Sequence, residues 1–413
     1  MDFFHLFSIL IVISALFSYI NFRYLKLPNA IGIMLVSLFF SFLVLIAGYF
    51  FPSIKIEAAA QLNNIDFSEL LLEGMLSFML FAGAIHIKYE DLKLERLSIM
   101  LFSTLSVLIS TFIVGFAAYY LLGFFGLEVK LINALLFGAL ISPTDPIAVI
   151  SILKSAGVSK SLETKIAGES LFNDGVAVVV FITILQISKP GTEMSFQSIS
   201  LLFGQEAIGG LLLGAFTGWL GYRLIASIDN YQVEVLITLA VVMGGYTLAH
   251  FMHVSGPLAM VIAGLITGNQ GKNFGMSVTT TEYIDKFWEL IDEILNAILF
   301  VLIGFELLIV QTNTTVLLVA FILILVVLLT RFISVLIPSL FIRLKEELTN
   351  KTVLILTWGG LRGGISIALA LSIPLEFHKD IWVTITYIIV CFSILVQGLT
   401  IGKLAKKMSN TPL

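Results

Sequence analysis

Apolar residues recur in runs of about twenty along the whole chain, at roughly 3–20, 28–50, 69–87, 97–122, 131–153, 162–187, 201–226, 232–252, 254–270, 287–310, 315–342, 350–374 and 380–402. A run of that length, wound as a helix, spans the hydrocarbon core of a bilayer. The pattern predicts an all-α polytopic membrane protein of about thirteen transmembrane helices. Composition agrees, since 58% of the 413 residues are hydrophobic and 12% charged, against roughly 45–50% apolar and 25% charged in soluble domains. The mean hydropathy is +1.04. The first run is too long for a removable leader and lacks a cleavage site of small residues. The loops are too short for a soluble domain, so one transmembrane domain covering 1–413 is expected.

Lys and Arg set the orientation. With the N-terminus outside, 17 of the 23 fall in inner loops, 4 (Lys55, Lys130, Lys189 and Lys379) in outer loops, and Arg331 and Arg362 within apolar runs. That bias predicts a cytoplasmic C-terminus. The net charge of −4 adds nothing for a chain mostly in lipid. The lone Cys391 excludes an intramolecular disulfide.

Two spans carry breaks. The fifth contains Ile141-Ser142-Pro143-Thr144-Asp145-Pro146, whose prolines remove two backbone donors. The twelfth contains Trp358-Gly359-Gly360-Leu361-Arg362-Gly363-Gly364. Thirteen spans divided as six, one and six place both breaks fifth in their set. That is the arrangement of two inverted six-helix repeats whose crossed, broken helices 5 and 12 meet near the midplane. Freed backbone groups there must line a cavity or face protein. Asp145 is placed where a half-helix N-terminus stabilises it, and Arg362 where carbonyl ends do.

The sixth span contains Gly168-Glu169-Ser170-Leu171-Phe172-Asn173-Asp174. Helical spacing puts Ser170 and Asp174 on one stripe and Glu169 and Asn173 on the next. Ionisable groups at membrane depth mark function by default, and oxygen donors suit hard cations. Asp145, Glu169 and Asp174 against Arg331 and Arg362 leave the buried set one negative charge over, which a proton or a monovalent cation offsets. The expected arrangement pairs Glu169 with Arg331, sets Asp145 with or near Arg362, and uses Asn173 to orient Glu169. Asp174 then exchanges its occupant, with Ser170 and Thr144 completing the shell. Loaded with H+ or Na+, Asp174 is neutral and can cross; ionised and empty, it cannot. Such a cycle is electroneutral, one proton for one cation.

Ser-Pro-Thr-Asp-Pro at 142–146, Gly-Glu-Ser-Leu-Phe-Asn-Asp-Gly at 168–175 and Trp-Gly-Gly-Leu-Arg-Gly at 358–363 together resemble the monovalent cation:proton antiporters, in particular the NhaP/NHE-type sodium/proton exchangers of prokaryotes. The resemblance covers essentially the whole chain. It implies exchange of cytoplasmic Na+ or Li+ for external H+ at a plasma membrane, by alternating access. It implies that Asp174 binds ion and proton with Ser170, Glu169 and Thr144 nearby as the Na+ site, and that Asn173 and Arg331 hold Glu169. In that family the Asn-Asp pair marks members thought to be electroneutral, and Asp-Asp the electrogenic ones. It further implies a mobile core of about 97–187 and 315–403 and a homodimer scaffold of about 1–96 and 201–310. The chain stops shortly after Lys407, so control through a long cytoplasmic tail, as in animal exchangers, is not expected.

The same oxygens accept Na+, Li+ or K+, so K+/H+ antiport is the alternative reading. A passive cation channel needs rings of ligands on a pore axis, and an intramembrane aspartyl protease needs two aspartates sharing a proton; neither pattern is present. No nucleotide loop, zinc motif or nucleic-acid signature is found, and no cofactor or enzyme activity is expected. His86, His250, His253, Glu73, Glu234, Glu306, Asp292 and Glu293 lie near span ends and read as interfacial or solvated. Gly210, Gly214 and Gly218 repeat every four residues and read as close helix packing.

Overall fold

The computed structural model describes residues 3–53, 67–188, 196–308, 310, 313–342 and 349–409. Lys55, Lys189, Arg343 and Lys345 of the charge distribution lie outside them. Within the described residues every regular element is helical, and the only strand-like feature is an isolated antiparallel bridge between Asp145 and Leu361.

In chain order the main helices are α1 (Phe3–Ile20), α2 (Asn29–Phe50), α3 (Phe67–Ile85), α4 (Arg96–Phe124), α5a (Leu131–Leu140), α5b (Ile147–Ser155) and α6 (Lys160–Ser188). They continue as α7 (Phe196–Ile225), α8 (Tyr231–Phe251), α9 (Gly256–Ile266), α10 (Val278–Glu306), α11 (Thr314–Ile342), α12a (Asn350–Trp358), α12b (Gly364–Leu371) and α13 (Lys379–Met408). Among the described residues 9 helices are long and apolar enough to cross a membrane: α1 to α4, α6 to α8, α11 and α13. The fifth and twelfth runs are each split where the Pro-rich and Gly-rich motifs predict. α9 is short, and α10 is long but carries acids. It begins at Val278, ahead of the apolar run expected from 287, because a charged amphipathic stretch extends it.

Neighbours in the packing fall into recurring sets. α4 lies against α5a and α11, α11 against α13, and α6 against α4 and α5a. Elsewhere α7 packs on α9, α9 on α3, and α10 on α2. The glycine row of α7 explains one of these contacts. A Cβ on Gly210, Gly214 or Gly218 would run into Ser255, Ala259 or Ala263 of the α9 segment, so side-chain-free turns let the two backbones meet.

Two expectations for span ends need correction. Glu234 and Glu306 are not solvated: they are 0% and 3% exposed. Glu234 is held at the start of α8, where it accepts the Asn230 N–H (3.0 Å) and the Thr280 hydroxyl (3.1 Å). These bonds replace water for a carboxylate that two helix starts enclose.

Candidate ion site at two crossed breaks

The interrupted helices cross and bond to each other. Pro143 and Pro146 stop the α5 ladder, and the Asp145 N–H, having no helical partner, donates to Leu361 O at 2.8 Å. Arg362, 2% exposed, answers the orphaned carbonyls from the other side: its Nη1 donates to Ser142 O (2.5 Å) and Pro143 O (2.9 Å). The Arg362 N–H is taken by Ser393 Oγ (2.8 Å), which donates to Gln397 Oε1 (2.8 Å), while Gln397 Nε2 donates to Trp358 O (3.0 Å). Backbone that lipid cannot satisfy is therefore satisfied by protein. The Asp145 carboxylate lies against Gly363, the residue after Arg362, where an added Cβ would strike it.

The α6 heptapeptide divides its side chains between two partners. Ser170 Oγ lies 3.1 Å from Thr144 Oγ1, and Asn173 Nδ2 donates to the same Oγ1 at 2.8 Å. Asn173 Oδ1 accepts the Thr144 N–H at 3.3 Å. Glu169 turns the other way, with Oε1 2.6 Å from Arg331 Nη1. Arg331 Nη2 donates to Leu356 O at 3.1 Å, and its guanidinium fills space that a Cβ on Gly360 would occupy.

Two details differ from the arrangement expected from helical spacing. Asn173 spends its amide on Thr144 and not on Glu169, because the α5 break crosses α6 at that turn. Glu169 is not among the residues lining the cavity described below, because its ion pair draws it toward α11. The geometry therefore places Thr144 and Asp174 on the cavity wall, bonds Ser170 and Asn173 to Thr144 behind it, and turns Glu169 away to Arg331.

Asp174 differs from its neighbours. It is 8% exposed, lines a cavity of about 760 Å³, and has no hydrogen bond or ion pair among the described residues. The same cavity is lined by Thr144, Asp145 and Ser366, and by Asp285, Glu289 and Asp292 of α10. It reaches the surface among exposed Lys154, Lys160 and His86. At this mouth His86 Nδ1 lies 3.3 Å and Lys272 Nζ 2.5 Å from Asp285 Oδ1, and Lys160 pairs with Asp91 at 2.8 Å. Asp292 was expected to be solvated at a span end; its place on the cavity wall was overlooked. The signal was present in the spacing of 285, 289 and 292, which puts three acids on one helix face.

The profile described as "Sodium/hydrogen exchanger, transmembrane" matches residues 11–407. The chain belongs to that family. It is accordingly a multi-pass membrane protein of a transporter family. The Na(+)/H(+) antiporter NhaP of Pseudomonas aeruginosa is 48% identical over 96% of this chain and 95% of that one. The Na(+)/H(+) antiporter NhaH of Halobacillus dabanensis is 34% identical over 94% and 93% respectively. Among solved structures, the sodium proton antiporter MjNhaP1 of Methanocaldococcus jannaschii at pH 8 superposes with a TM-score of 0.77 over 99% of both chains at 21% identity, a likeness of fold.

Proposed function

We propose that this chain exchanges cytoplasmic Na+ or Li+ for external H+ across the plasma membrane, one for one, with both ions competing for Asp174. The observation that carries this reading is the contrast between two buried carboxylates about 1.4 turns apart on α6. Glu169 is neutralised by Arg331 at 2.6 Å. Asp174, also buried, has no such partner among the described residues and borders a cavity that reaches the surface. A buried charge without a partner costs several kcal/mol, so Asp174 takes up a proton or an alkali cation before it is carried away from water. Thr144 lines the same cavity and Ser170 is bonded to it; in this reading their hydroxyls complete the shell, and Asn173 fixes Thr144. Glu169 acts in this reading through Arg331, behind the coordination shell, while Asp145 and Arg362 hold the crossing.

The mobile unit comprises about 97–187 and 315–403, and the scaffold about 1–96 and 201–310, with a homodimer formed through the scaffold. The mutual packing of α4, α5a, α6, α11 and α13, and separately of α3, α7 and α9, supports that division. The matched breaks support two inverted repeats. With the N-terminus outside, the cavity opens to the cytoplasm, so the described conformation faces inward.

The test is dequenching of a pH-sensitive dye in everted vesicles, titrated with Na+, Li+ and K+. Exchange must be silent in Asp174→Asn; vigorous exchange by that variant sinks the reading. A K+ response exceeding that to Na+ moves the assignment to K+/H+ antiport. Acid pH on the side facing the site must inhibit cation uptake competitively. A rate that tracks clamped membrane potential steeply rejects the one-for-one stoichiometry.

A further inference from the structure

We infer that Asp292 is a second cation-handling carboxylate, fixed on the scaffold, that acts on the ion only at the cytoplasmic face. The inference rests on the exchange reading above and extends it to a residue on a different body.

Asp292 lines the same cavity as Asp174 from a different helix: Asp174 belongs to α6 and Asp292 to α10. One helix face of α10 descends from it through Glu289 to Asp285 at the mouth, all three bordering the cavity. These acids are not equivalent. Asp285 is committed to Lys272 and His86. Among the described residues no Lys or Arg pairs with Asp292 or Glu289. The groups acting on Asp292 are Asp145 from the α5 break, His86 from the end of α3, and Glu293 and Asn296 on its own helix, where the Asn296 amide donates to the Asp292 carbonyl at 2.8 Å. Asp145 bears on Asp174 as well. A cation in the cavity therefore meets Asp174, Asp145 and Asp292 together, and only the last does not travel with the breaks. The buried, partnerless Asp174 lining the same cavity is the independent sign that the α10 acids border a ligand's route.

The physics follows from one charge at short range in a partly dry cleft, which focuses cations and repels an empty, ionised neighbour. While the cavity is open inward, Asp292 raises local Na+ and disfavours ionised, unoccupied Asp174. Once the core has shifted away, Asp292 no longer contributes. It thus sets the inner-face affinity and leaves the outer-face affinity alone.

The experiment measures half-saturating Na+ in everted vesicles, where added Na+ meets the cytoplasmic face, and in right-side-out vesicles, where it meets the external face. Asp292→Asn is expected to raise the inner-face value about three- to tenfold, with no change at the outer face. Asp292→Glu, which keeps the charge, is expected to restore the wild-type value. Equal shifts on both faces, or none on either, overturn the inference. Should Asp292→Asn fail to reach the membrane, Glu289→Gln carries the same test one turn lower. It is expected to give a smaller shift confined to the inner face, and an unchanged or two-sided result overturns the inference equally. Silence of wild-type vesicles, or activity of Asp174→Asn, instead defeats the underlying exchange reading, so the two failures are distinguishable.

Discussion

Arg331 and Glu169 form a buried ion pair, Nη1 to Oε1 at 2.6 Å, that joins α11 to α6 across 162 positions of sequence. Removing one partner of such a pair leaves an uncompensated charge and costs roughly 3–5 kcal/mol. Arg331→Met and Glu169→Gln are each expected to lower the thermal midpoint in detergent sharply. The double variant should recover part of the loss. A double variant as unstable as the two losses combined contradicts a direct pairing.

The Asn173 amide makes two contacts with Thr144, at 2.8 and 3.3 Å. Asn173→Ala orphans the buried Thr144 N–H and removes one of the two partners of its hydroxyl, a loss of about 1–3 kcal/mol. The expected outcome is weaker Na+ dependence together with reduced stability, read from dye dequenching and thermal melts. Unchanged Na+ dependence means that Thr144 contributes nothing to the ion shell.

Gly360 leaves room for the Arg331 guanidinium. Gly360→Ala pushes a methyl group into that space, and overpacking of this kind costs about 1–3 kcal/mol. The variant should resemble Arg331→Met in stability although no charge has been removed. Wild-type melting by Gly360→Ala rules out the steric account.

Asp285 stands ahead of the apolar part of α10, at the cavity mouth. Burial alone raises its carboxyl, but hydrogen bonds and charge from His86 and Lys272 carry it below the ordinary 3.8. A carboxylate depressed in the folded state adds stability that is complete above 3.8 and fades as pH falls through the folded value. Asp285→Asn should therefore melt earlier than wild type at neutral pH, with the gap closing in strong acid. A gap of constant size across that range leaves no place for the electrostatic explanation.

Hydropathy located the long apolar helices because each is a long local run, and the two breaks were visible because proline and clustered glycine interrupt a helix wherever they stand. The Glu169–Arg331 contact was legible from charge balance, since two buried ions of opposite sign must find each other. What escaped was facing. The partner of Asn173 is decided by how α5 crosses α6, which no local window contains. Asp292 escaped for a related reason: acids near the start of an apolar run look the same whether their face meets water outside the protein or a cleft inside it. Glu234 and Glu306 were misjudged on that ground, as position along a span does not report enclosure by neighbouring helices.

The main-chain link from Asp145 N to Leu361 O lies beyond the reach of nearly all substitutions. Both atoms are present whatever side chains occupy those positions, and only proline at 145 would delete the donor. The junction of the two breaks therefore takes its shape from peptide groups, whereas the ion site proposed beside it is built from replaceable hydroxyls and amides. Thr144, Ser170 or Asn173 can thus be altered, to test the proposed site, without deleting that main-chain link.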